Sequence, residues 1–381
     1  MGVVVQATAP GAVEVPARRA LAPALLYLAV RAIGTLIWWG MTAASDRVNW
    51  RPWDADWYLA IAEHGYATAG AGMVDAHGSP APDGTYAFFP LYPLVTRAFA
   101  VVLGNYVVAG IAVSTIAGIA GAYGVARLAR AMRGDHRAEL IAVVLVAAAP
   151  MSVVYTLPYP EALLIALVVW TLVSLLEGRW WLVPWLVAAA GLANPMAGPL
   201  LVVVVVAACL AVFRERGETR WWAALSPLYA AAGMVGYLLW VSATAPHSYF
   251  TITEKGWGNN VDFGVTTTEW VFQELTMGTH AYLVVTAAAI IASVVAVVMV
   301  RRRMPWQVWL YTAGTVALIV VHSGLVQDRT RLLLSAFPLL VLAAVRLARC
   351  STRVAVVTTC LIALAGLWFS AYSLSAWKYA I

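Results

Sequence analysis

The sequence predicts an all-α polytopic membrane protein: a bundle of about eleven transmembrane helices, twelve being the alternative count, with juxtamembrane helices in one large polar loop near its start. Three observations predict it. Of the 381 residues, 62% are hydrophobic and only 11% charged, with a mean hydropathy of +0.81, whereas a soluble domain carries roughly a quarter charged residues. The apolar runs are long enough for helices of about 20 residues that cross a bilayer, and too long for barrel strands. The basic residues behind the net charge of +6 sit in short clusters beside these runs, where orientation in the membrane accounts for them without a nucleic-acid partner.

In chain order, residues 1–20 read as a cytoplasmic tail without the charged start of a secretory signal. The first span, 21–43, follows Arg18 and Arg19, which places its start inside and the loop 44–105 outside. The apolar run from Phe88 to Ala131 admits one crossing or two. A single crossing from Asn105, with Phe89 to Val102 lying along the interface, delivers Arg127, Arg130, Arg133 and Arg137 to the cytoplasm. Further spans are expected at 138–157, 159–176, 180–194, 196–213, 221–243, 279–300, 305–323, 332–349 and 354–373. On this count the clusters at Arg179, Arg214 to Arg220, Arg301 to Arg303 and Arg346 to Arg353 also face inward. Residues 21–381 then form one transmembrane domain, with a second external loop at 245–278 and a short external joint at Gly324 to Thr330. Cys209, Cys350 and Cys360 have no paired spacing, so neither disulfides nor a zinc site is expected. Lys255 and Lys378 are the only lysines, a bias that with the abundant Ala and Val suits a GC-rich bacterial genome and hence a bacterial plasma membrane.

Chemistry is expected in the longest polar interval, Asn49 to Pro93. Asp54 and Asp56 stand at the start of a helix expected over Trp57 to His64. Two residues apart on a helix, their side chains diverge by about 200°, so both address one atom only if the helix starts between them. One of the two is the expected base; the plainer alternative makes Asp54 an N-cap, for which Asp is favoured.

The residues Trp53-Asp54, Trp57-Tyr58-Leu59, Ile61 to Tyr66 and Phe88-Phe89-Pro90-Leu91-Tyr92-Pro93 resemble the signature of the PIG-V-like mannosyltransferases, of the GT-C superfamily. Tyr159-Pro160-Glu161 is similar to the family's Tyr-Ser-Glu turn, and Arg331 to Pro338 to its Arg-Tyr-Leu-Leu-Pro-Ala-Phe-Pro segment. Asn194-Pro195 departs from the usual Arg-Pro, and Leu332 and Ser335 replace Tyr and Pro. The resemblance implies a GT-C-type bundle and an inverting glycosyltransferase that takes a sugar, usually mannose, from a polyprenyl-phosphate carrier. The acceptor would be a glycolipid or cell-envelope glycan on the outer side; the alternative from another class is a flippase or transporter of lipid-linked sugars. Asp54 occupies the position of the family's catalytic acid, with Asp56 a possible second acid. The Asp-x-Asp pattern also matches metal-dependent nucleotide-sugar glycosyltransferases, but no nucleotide sugar is expected outside, so neither metal nor cofactor is called for.

A sugar hydroxyl is a poor nucleophile that benefits from a base within hydrogen-bond reach, and a departing lipid phosphate needs cationic partners. Arg331 and Arg329, at the outer start of a span, suit phosphate oxygens; snorkelling to lipid headgroups is the alternative. Arg31, within the first span, is expected to face a partner, an acid in the bundle or the carrier lipid. For sugar or acceptor contacts the candidates are Glu161, His64, Tyr66, Tyr92, Gln327, Asp328, Trp257 and Lys255. His64 is also a candidate to orient Asp54, and for the aromatics of the second external loop an interfacial belt is the weightier explanation.

Overall fold

The computed structural model describes residues 17–42 and 49–375. The expected tail, up to residue 16, and the start of the first loop, residues 43–48, lie outside the described residues. Helix makes up 79% of the described residues, and among them there are no strands, only isolated bridges at Val74–Pro80 and Val261–His322.

The long apolar α1 (Ala17–Thr42) leads into the polar loop, which folds as α2 (Asp54–His64), the single turn α3 (Tyr66–Ala69), a 3₁₀ turn at Gly84–Ala87 and α4 (Leu91–Leu103). α5 (Tyr106–Ala131) follows. The apolar run is divided here because Gly104 takes the left-handed conformation, φ 67°, and Asn105 caps α5 by accepting from the Val108 amide at 3.0 Å. Gly after a helix end and Asn before a helix start are the favoured residues for such a break.

α6 (His136–Ala147) and α7 (Glu161–Leu176) have 12 and 16 residues, about 18 and 24 Å at 1.5 Å per residue. Both fall short of the ~30 Å hydrocarbon layer. A 3₁₀ turn at Ser152–Tyr155 and the prolines Pro158 and Pro160 occupy the gap between them. Next come α8 (Val183–Ala193), α9 (Gly198–Arg214) and α10 (Gly217–Thr244). The second loop holds α11 (Tyr249–Trp257) and α12 (Val265–Met277). α13 (Ala281–Val300), α14 (Trp306–Val321), the short α15 (Arg329–Leu332), α16 (Pro338–Leu347) and α17 (Thr352–Ser375) complete the bundle.

A helix falls in each of the eleven expected spans, but several fill only part of theirs and are too short to cross alone. Among the described residues six helices are long and apolar enough to cross alone: those of α1, α5, α9, α10, α13 and α17. A seventh arises if Val326–Ala336 and Pro338–Leu347, bent by 56°, count as one span. That bend falls at Pro338, which has no amide hydrogen to give and crowds the preceding turn.

The breaks carry polar groups into the apolar bundle. Arg31, midway along α1, donates from Nη1 to Ala147 O and Ser152 Oγ, both at 2.9 Å, and from Nε and Nη2 to Thr156 Oγ1 at 3.0 and 2.9 Å. Its protein partners are neutral groups, not the bundle acid that was one of the two partners expected from the sequence. Ala147 ends α6, so the guanidinium meets the negative end of that helix dipole. At the end of the bundle away from the polar loop, Arg127 pairs with Glu177, Arg130 with Glu139 at 2.6 Å, and Arg137 donates to the Cys350 and Ser351 carbonyls. The arginine clusters therefore gather at the turns opposite Asp54.

α17 passes so close to the break after α6 that a Cβ on Gly366 would sit 2.0 Å from Ala148 O. Gly366→Ala is expected to destabilise by about 1–3 kcal/mol through overpacking against backbone. A melting curve in detergent unchanged from wild type would contradict this crossing.

Candidate active site

The site is built where three interruptions of the helical bundle meet: the start of α2, the turn before α7, and the segment from Val326 to Leu332. Trp53, at φ 45°, turns the chain so that α2 begins at Asp54, three residues earlier than the sequence suggests, and no side chain caps the helix. Asp54 is thus the first helical residue and not the N-cap. Its carboxylate instead accepts from Arg331 Nη1. Asp56 points the other way, as the helical divergence requires, and accepts from Arg51 Nε at 2.6 Å. That pair is half-exposed on the wall of an open cleft of about 350 Å³ shared with Trp38, Asn49 and Trp53.

Arg331 is the hub. Each of its three guanidinium nitrogens faces a different carboxylate: Nη1 meets Asp54, Nη2 lies 3.8 Å from Asp328 Oδ2, and Nε lies 3.7 Å from Glu161 Oε1. The Arg331 and Glu161 side chains are 10% exposed, those of Asp54 and Asp328 21%. Tyr159 places its ring 5.5 Å from the guanidinium and donates its hydroxyl to Pro52 O at 3.0 Å, tying the turn before α7 to the approach to α2. Glu161 opens α7, where the helix dipole favours a negative charge. Two atoms of the hub, Glu161 Oε2 and Arg331 Nε, are buried without a hydrogen-bond partner.

Three carboxylates around one guanidinium give a polar cluster recessed in apolar surroundings, with acceptors for hydroxyl protons and a cation able to meet an anion. Among the described residues no group of three His, Cys, Asp or Glu side chains is placed to share a metal ion.

Of the residues singled out from the sequence, Asp54, Glu161, Asp328 and Arg331 are brought together. Gln327 adjoins them and accepts at its backbone oxygen from Tyr282 at 2.8 Å. Arg329 is committed elsewhere: 1% exposed, it donates to Thr267 Oγ1 and to the His322 and Ser323 carbonyls. It thereby clasps the second loop to the joint before α15. Reciprocal bonds between Asn260 and Ser323 at 2.8 and 2.9 Å, and from the Asp262 amide to Val321 O at 3.1 Å, complete that clasp. Hydrogen bonds from Thr266 and Gly264 hold the Asp262 carboxyl below the usual carboxylate range.

His64 lies ten residues along α2 from Asp54, about 15 Å of helix rise, with its exposed ring 3.9 Å from Glu63. It cannot orient Asp54. Tyr66 donates to Phe88 O at 2.7 Å and stacks on Tyr86, while the buried Tyr92 joins α4 to α5 through Gly110 O at 2.8 Å. Trp257 packs its ring against Trp57 and Phe88, and Lys255 Nζ lies 3.3 Å from His247 Nε2, whose Nδ1 meets Asp83 at 2.9 Å. These four residues build the two loops and their seam. Sequence reasoning passed over Tyr159 as a platform for Arg331 and Arg51 as the partner of Asp56; the tyrosine stood beside Glu161 in the motif, whereas nothing in the pattern marked Arg51.

No family model matches the chain, and no curated protein does. Solved structures share the architecture. ArnT from Cupriavidus metallidurans bound to undecaprenyl phosphate aligns with a TM-score of 0.52 at 17% identity, over 91% of this chain and 64% of that one. The same protein in its apo state gives 0.54 at 20% identity, over 93% and 65%. The present chain thus spans just under two thirds of the ArnT length. At these identities the likeness shows the fold alone, an all-α bundle of the architecture seen in ArnT.

Proposed function

We propose that this chain is an inverting membrane glycosyltransferase that moves a sugar from a polyprenyl-phosphate donor to a hydroxyl of a glycolipid or cell-envelope glycan. The observation that carries this reading is the contact between the Asp54 carboxylate and the Arg331 guanidinium in a polar hub recessed within an apolar bundle. The donor class is supported by the architecture shared with ArnT, a protein solved with undecaprenyl phosphate, and mannose is the sugar the PIG-V-like resemblance favours. The arginine-rich turns opposite the hub support an extracytoplasmic site.

In this mechanism the acceptor hydroxyl gives its proton to Asp54 as its oxygen attacks the anomeric carbon from the face opposite the phosphate. The bond from that carbon to the phosphate oxygen breaks, and its electron pair leaves with the polyprenyl phosphate. Arg331 meets the charge that develops there. Because one guanidinium serves both groups, transfer of Arg331 from Asp54 to the donor phosphate frees the carboxylate as a base when donor arrives. Arg329, held in its clasp, supports the wall of the site, and Asp328 and Gln327 line it.

The test is purified protein in liposomes with polyprenyl-phosphate-mannose and a panel of glycolipid and glycan acceptors. Mannosylated acceptor with release of polyprenyl phosphate is expected. Movement of the donor across the bilayer without any glycosylated product would overturn the reading in favour of a lipid-linked-sugar flippase.

A further inference from the structure

The two orphaned atoms of the hub form a matched pair. Arg331 Nε carries a hydrogen with nothing to receive it, and Glu161 Oε2 is an acceptor with nothing to supply one. Their side chains are neighbours, Nε lying 3.7 Å from the other Glu161 oxygen, and each is nine-tenths buried. At 3.7 Å the two groups are in Coulomb contact without a hydrogen bond, which for an N–H donor needs about 2.7–3.2 Å. Buried polar atoms are hydrogen-bonded in the great majority of native sites, and each exception calls for an explanation. The contrast within the hub is instructive, because Nη1 of the same guanidinium donates a hydrogen bond to Asp54.

A group that satisfies both orphans at once must accept one hydrogen bond and donate another. A hydroxyl does both with a single oxygen. A phosphate or carboxylate satisfies Arg331 Nε but leaves Glu161 facing a like charge, and an ammonium satisfies Glu161 while opposing the guanidinium. We propose that Glu161 and Arg331 Nε form a one-hydroxyl subsite for the sugar of the donor, a specificity determinant beside Asp54. This rests on the glycosyltransferase reading above. The donor, and not the acceptor, is the expected source because the subsite lies on the guanidinium assigned to the donor phosphate, so a hydroxyl bound there belongs to the ring attached to that phosphate. Tyr159, stacked on the guanidinium and tied to Pro52, keeps Nε pointed at Glu161 when Nη1 changes partner.

A hydrogen bond to a charged group that is lost from a buried site costs far more than one exchanged with water. The experiment compares polyprenyl-phosphate-mannose with its 2-, 3-, 4- and 6-deoxy analogues on wild type and Glu161→Gln. Both equilibrium binding of each donor to the protein in nanodiscs and kcat/KM for transfer are read. In wild type one deoxy position is expected to weaken binding or transfer about 10- to 100-fold, with the others within a few-fold. In Glu161→Gln, which keeps the shape of the side chain and whose melting temperature checks folding, the penalty at that one position should shrink while the rest stay unchanged. A uniform response of wild type to all four analogues overturns the subsite and leaves its atoms to a bound water or the acceptor. So does a Glu161→Gln protein that loses affinity equally for every donor. Absence of transfer with intact polyprenyl-phosphate-mannose would tell against the glycosyltransferase reading instead, and the binding series still decides the subsite.

Discussion

Asp54→Asn is expected to slow sugar transfer about 10²- to 10⁴-fold, the range that a positioned general base contributes, while Asp56→Asn stays within a few-fold of wild type. The two acids are two residues apart and share one helical turn, so composition and proximity do not separate them. Geometry does: Asp54 faces the buried hub and Arg331, whereas Asp56 faces an open cleft and a half-exposed arginine. An exposed ion pair of that kind contributes about 0–1 kcal/mol, so its loss should leave folding and catalysis little changed. Asparagine keeps the size of Asp54 and still accepts from Arg331 at its amide oxygen, and the folded fraction should hold. The check is kcat for both variants alongside their melting curves. Equal activity in wild type and Asp54→Asn would remove Asp54 as the base and leave Asp56 as the next acid to test.

How far the hub was legible in the sequence depends on which physical signal each residue left. The class of fold was legible because hydrocarbon length is a one-dimensional property, and helix positions followed from it. Helix lengths were not: where α6 stops short, Arg31 donates to the Ala147 carbonyl freed at the break and to the Ser152 and Thr156 hydroxyls beyond it. No window of hydropathy reports such partners, which lie more than a hundred residues away in sequence. Asp54, Glu161 and Arg331 each stood out as an ionisable residue at the edge of an apolar run, where an unpaired charge is costly. Arg329 shared that signal but bonds Thr267 and two carbonyls away from the hub, because a buried arginine is equally at home binding carbonyl oxygens. Alternation of roles at adjacent basic positions is set by which way the short α15 turns, and that turn is fixed by the clasp with Thr267, His322 and Ser323. His64 lies away from Asp54 for a simpler reason, since neighbours in a motif become distant once the motif is wound as a helix.

Arg331→Met should be the most damaging single change in the chain, because it removes the cation that, among the described residues, faces Asp54, Asp328 and Glu161 together. Methionine conserves the length and apolar stem of arginine, so the effect isolates the charge. Taking away one member of a buried ionic set costs about 3–5 kcal/mol, since the remaining charges stay desolvated and uncompensated. Here the remaining charges are three carboxylates that repel one another, and the apparent melting temperature should fall by several degrees with transfer abolished. Arg331→Lys is expected to recover part of the stability and little of the activity, because one ammonium cannot address three acids from three directions as a planar guanidinium does. The decisive control is the double variant Arg331→Met with Asp54→Asn. If the hub is held by mutual charge, removing one carboxylate relieves the repulsion, and the double variant should melt higher than Arg331→Met alone, a coupling of opposite sign to two independent losses. Strictly additive melting shifts would show that Arg331 stabilises the bundle through its packing on Tyr159 and not through the three acids around it.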